Sequence, residues 1–109
     1  MNFKNKPVRS EKHRRFLAGL VCAVSEKGDC QAAHIRHGFY GMGTKPSDSL
    51  CIPLNWEEHA RQHRTTESYF FREFGGVEKA KELAQLLWEN TGNEDECLAI
   101  LSRFRQGDL

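Results

Sequence analysis

The sequence contains no apolar run approaching the length a membrane helix needs. No apolar segment follows its basic opening, Met1-Asn2-Phe3-Lys4-Asn5-Lys6-Pro7. Neither a membrane span nor a secretory leader is expected, so a cytoplasmic protein is. Paired cysteines are also missing: Cys22, Cys30, Cys51 and Cys97 form no C-x-x-C motif. Knuckle spacing for a zinc ribbon is therefore absent, and without a secretory context two disulfides are not expected. The four thiols read as buried small hydrophobes. There is no internal repeat or low-complexity stretch, and net charge is only +1.

What is present fits one domain of 109 residues, with 39% hydrophobic and 28% charged residues, the proportions of an ordinary soluble globular protein. A core this small makes a bound metal or a partner matter to stability. The charge is unevenly spread. Lys4, Lys6, Arg9, Lys12, Arg14 and Arg15 face only Glu11 within residues 1–20, whereas residues 66–109 carry a balance of −4. A basic arm suits a polyanion partner through counterion release, and it equally suits a solvated helix face.

Local patterns divide the chain into an N-terminal arm and helix (1–20), a middle section (21–64) and C-terminal helices (65–109). Ser10 caps a helix to about Leu20. Val21-Cys22-Ala23-Val24 and Cys30 to Arg36 read as two strands joined at Ser25–Asp29 into a β-hairpin ending at Ala33-His34-Ile35-Arg36. A glycine-rich loop follows (Gly38, Gly41, Gly43), and then a short apolar stretch from Leu50 to Pro53. Asn55 and Glu58 form a capping box for a helix through His63. Residues 66–74 predict a short helix, broken by Gly75-Gly76. Val77, Ala80, Ala84 and Leu87 mark another amphipathic helix. Asn93 and Glu96 open a last helix with Cys97, Ile100, Leu101 and Phe104 on its apolar face.

The chemistry-bearing residues lie between 30 and 63. His59 and His63 are i and i+4 on one helix, spaced to hold one ion. Trp56 and Ala60 share their face, which is expected to look toward the protein. Such a pair also arises as ordinary surface or core histidines. His34 ends a strand before an irregular loop, a place where functional side chains gather and where a hydrogen-bonded core histidine also fits. Together the three supply a layout for metal-assisted phosphodiester hydrolysis. Two imidazoles hold a divalent ion, and a third, with a reference pKa near 6.5, takes the proton of the attacking water. Arg36, Lys45 and Arg64 stand where they hold phosphates or simply face solvent.

The blocks Ala32-Ala33-His34-Ile35-Arg36, Lys45-Pro46-Ser47-Asp48, Pro53-Leu54, the pair His59/His63 and the aromatic-rich segment Glu67 to Gly76 resemble a phage and prophage family of HNH-like nucleases. This family is related to the phage Ref recombination nuclease. The resemblance covers roughly residues 8–80. It implies an α+β fold with a ββα-metal (HNH, or His-Me finger) core, a short hairpin and flanking helices. It places His34 at the general-base position and His59 and His63 at helix ligand positions. Asp48, or its neighbour Ser49, falls near the middle-Asn position, where the side chain orients the base or reaches the metal. Ala33 stands where many such enzymes carry a ligand, and the structural zinc cysteines are absent. Implied with it are one divalent ion (Zn, Mn, Ni or Mg) and a DNA substrate, RNA being the alternative.

The function read from these residues is a metal-dependent DNA endonuclease or nickase, with His34 and Asp48 catalytic and His59, His63 and Asp48 at the metal. Arg36, Lys45, Arg64, Arg14 and Arg15 would meet nucleic acid. One alternative is an inactive module that keeps the fold and binds nucleic acid. Another is a small phage protein that docks on a host protein through its acidic C-terminal helices.

Overall fold

The computed structural model describes residues 7–37 and 46–109. The glycine-rich loop, Lys45 and the basic residues Lys4 and Lys6 lie outside the described residues.

Helix α1 (Glu11–Ala18) starts where Ser10 accepts the His13 backbone N–H through its hydroxyl at 3.1 Å, and it buries His13 and Leu17. Residues 21–24 do not form the expected strand. Glu26 and Asp29 adopt left-handed backbone, with φ of 66° and 57°, and fold the segment back on itself. The Cys22 N–H then donates to Lys27 O within that turn, and the Ala23 N–H donates to Pro53 O.

The hairpin instead joins β1 (Cys30–His34) to β2 (Cys51–Asn55), antiparallel, with Cys30 opposite Asn55 and His34 opposite Cys51. One further bond, from Ile35 N–H to Leu50 O, extends the pairing past His34. Every residue of β2 is buried, because α1, α2 and α4 all pack against it. That burial accounts for its continuous apolar run, which shows none of the alternation of a half-exposed strand.

Helix α2 (Trp56–Arg64) follows β2 directly. Asn55 caps it by accepting the Glu58 N–H, while the Glu58 carboxylate turns to Arg61, so only half of the expected capping box forms. The order strand, strand, helix is thus continuous from β1 to α2. The predicted helix over 66–74 divides into α3 (Glu67–Phe70) and a single 3₁₀ turn, Arg72–Phe74. Gly75 then reverses the chain at φ +92°, where a Cβ would come within 2.5 Å of the Lys79 side chain.

Helix α4 (Gly76–Glu89) buries Val77, Ala80, Leu83, Ala84 and Leu87, and α5 (Glu94–Gln106) lays Cys97, Ile100, Leu101 and Phe104 against it. The result is a mixed α+β fold in which α1, α2 and α4 surround a two-stranded hairpin. All four thiols are free and buried. No helix among the described residues is long and apolar enough to cross a membrane.

Candidate functional site

His34 ends β1, and its side chain is 17% exposed. Its Nε2 lies 2.8 Å from Oδ1 of Asp48. An ionised carboxylate only accepts, so in the neutral ring it is Nε2 that carries the proton and Nδ1 that has the lone pair.

Asp48 opens a 3₁₀ turn and is only 1% exposed. Its other oxygen accepts the Ser10 N–H at 2.7 Å and Arg14 Nε at 3.0 Å. Burial by itself raises the carboxyl pKa. The Ser10 N–H, the His34 ring and the Arg14 guanidinium outweigh it and hold Asp48 below the usual range. The segment 8–10 is stitched to the same turn, through Asp48 N–H to Val8 O and Val8 N–H to Ser47 Oγ. Arg14 is thus directed at Asp48, and Arg15 pairs with Glu11 on its own helix.

Helix α2 crosses β1 and is fixed at both ends of the strand. His59 Nδ1 meets Gln31 Oε1 at 2.5 Å, and Gln62 Nε2 donates to the His34 carbonyl at 3.0 Å. The rings of His59 and His63 lie 4.9 Å apart, centre to centre. Their face does not look into the protein as expected. Trp56 is 63% exposed, Ala60 and His63 are exposed, and His59 is half-buried, because the residue this short helix turns inward is Gln62, held by the His34 carbonyl and Glu67.

Burial lowers the His59 pKa first, and the neighbouring charges of His63, Arg36 and His34 lower it further. His59 is therefore neutral, with Nδ1–H given to Gln31 and Nε2 left as a donor to a cation. This is the arrangement in which an oxygen acceptor orients a metal-binding imidazole. The donor chemistry of the pair fits a divalent ion of the imidazole-preferring kind.

Two residues that the sequence reading passed over hold this geometry. Glu67, 8% exposed, accepts the Arg36 N–H at 2.9 Å, the His37 N–H at 2.6 Å and Gln62 Nε2 at 2.7 Å. The chain leaving His34 and the helix carrying His63 are thereby clamped to one carboxylate. Facing two acceptors, Glu67 and the His34 carbonyl, the Gln62 amide has only one workable orientation. An acid directly after Thr66, at the start of an aromatic segment, was the available signal, but its backbone partners at Arg36 and His37 are some 30 residues away.

Beside the clamp is a cavity of about 280 Å³, lined by Arg36, Gln62, His63, Thr65, Thr66 and Glu67. Arg36 and His63 therefore share one opening. Arg64, the last residue of α2, is exposed.

A second group with ligating atoms is His34, Asp48 and Cys51, all within 4.8 Å of one another. Burial, then the Asp48 charge, pushes the Cys51 thiol up to about 12, and both Asp48 oxygens already have hydrogen-bond donors. A cation there would compete with Arg14 and displace a firmly held proton.

A family model described as a protein of unknown function (DUF968) matches residues 2–86, from the basic arm into α4 and short of α5. No curated protein and no solved structure matches the chain.

Proposed function

We propose that this protein, which belongs to the DUF968 family, is a metal-dependent endonuclease of the HNH (ββα-metal) kind that hydrolyses phosphodiester bonds in DNA. The observation that carries this reading is the packing of α2 on β1, which brings a carboxylate-held histidine near enough to His59 for its charge to act on that ring, with His59 Nδ1 held by Gln31.

His34 acts as general base. Its Nδ1 accepts a proton from water while Asp48 holds Nε2–H, fixes the tautomer and stabilises the imidazolium that forms. A base so placed contributes about 10²–10⁴ in rate. His59 and His63 hold a divalent ion, with Gln31 orienting the first of them. Once bound there, such an ion neutralises the scissile phosphate and the developing charge on the leaving oxygen. Asp48 serves the base rather than the ion, because its hydrogen-bonding capacity is spent on His34, Ser10 and Arg14. Arg36, at the mouth of the cavity next to His63, holds a neighbouring phosphate.

The test is cleavage of supercoiled plasmid with Mg, Mn, Ni or Zn. Metal-dependent nicking that His34→Ala abolishes supports the assignment. Salt-sensitive DNA binding with no cleavage under any of the four metals would instead make the protein an inactive module of this fold.

A further inference from the structure

Trp56 is the most exposed large hydrophobic side chain among the described residues, at 63%. It opens α2 and precedes His59 by three residues and His63 by seven, so all three occupy one stripe of the helix. Tyr69, the other exposed Phe, Tyr or Trp among the described residues, has the Arg72 guanidinium over its ring at 3.8 Å. Among the described residues no ring or cation covers Trp56.

An exposed indole presents a flat apolar face on which another planar ring can lie. At the other end of the same stripe, beside His63, lies the Arg36 cavity. The open face of α2 thus offers, in order, a flat aromatic surface, a pair of imidazoles and a cation.

We infer that Trp56 is a stacking platform for an unpaired nucleobase, so that the strand lying over His59 and His63 is single-stranded at that point. The inference rests on the nuclease reading for its location and adds the substrate class. A base inside a duplex is already stacked on both faces and cannot lie flat on an indole. A flap, gap or single strand can, and each stacked base adds a sequence-tolerant increment of affinity. The two neighbouring acids do not forbid this approach, because Glu58 is paired with Arg61 at 2.8 Å and Glu57 is exposed to solvent.

The test is binding without metal, which separates it from catalysis. Trp88→Phe leaves Trp56 as the only tryptophan of the full chain. Its fluorescence is followed as oligothymidylate is added, beside an abasic oligonucleotide of equal length and charge and a duplex of the same length. Quenching is expected with the base-bearing single strand, with affinity about 5-fold to 100-fold above the abasic one. In anisotropy with labelled oligothymidylate, Trp56→Ala loses that factor and Trp56→Phe retains most of it. Equal affinity for abasic and base-bearing strands, or tighter binding of the duplex, overturns the inference. Failure of the nuclease reading is distinguishable. Base-dependent binding with no cleavage under any metal keeps the platform and removes the enzyme. Cleavage indifferent to Trp56→Ala keeps the enzyme and removes the platform.

Discussion

His34 Nε2 and Asp48 Oδ1 stand 2.8 Å apart across the loop that links β1 to β2, and the carboxylate of this pair is 1% exposed. The couple is held from outside by α1, through the Ser10 N–H and Arg14, so the N-terminal helix is part of the site.

Asp48→Asn is the direct probe of that couple. It keeps the shape but puts an amide where His34 needs an acceptor. Cleavage is expected to fall about 10- to 100-fold, the usual effect of removing a partner that orients a site residue. Asp48→Ala should also lower stability by about 1–3 kcal/mol, since Ser10 N–H and Arg14 lose their acceptor. Plasmid nicking and thermal melting, run side by side, check both.

Glu67→Ala leaves the Arg36 and His37 N–H groups without their acceptor and the Gln62 amide with one of its two, the His34 carbonyl. A loss of about 1–3 kcal/mol in chemical denaturation is expected, with weaker cleavage by the fraction that stays folded. Unchanged stability would mean the clamp is dispensable.

Acid should destabilise the protein through His13. This ring is buried, edge-on to Trp88 at 4.8 Å, with Nδ1 2.7 Å from Thr91 Oγ1. Burial lowers its pKa below the ordinary 6.5, against an opposing pull from Asp48. The folded state thus binds fewer protons than the unfolded chain, so stability is full above pH about 6.5 and declines as pH falls below it. Melting temperature between pH 7.5 and 5.5 is expected to drop, and to drop less in His13→Gln.

Much of this fold was readable because its signals are local. Ser10, Asn55 and Asn93 cap α1, α2 and α5 through contacts three residues away, and such spacing is visible in any sequence. The true partner of β1 was not visible. Val21–Val24 resembles a strand by composition, but left-handed Glu26 and Asp29 turn it away. The real partner, β2, is five residues long and separated from β1 by 16 residues. The three histidines were legible as a constellation, and Asp48 was legible as a neighbour of the base. Gln31, Gln62 and Glu67, which fix the distances, were not, because each acts across a long stretch of sequence on backbone or ring atoms.

Everything proposed for the chemistry depends on which histidines take the ion. Titration calorimetry with Mn, Ni and Zn on the wild-type chain, His59→Ala, His34→Ala and Cys51→Ala decides it. One tight site that is lost in His59→Ala and kept in the other two is the predicted result. A site that survives His59→Ala but vanishes in His34→Ala and Cys51→Ala would put the ion on His34, Asp48 and Cys51, and His34 could not then be the base.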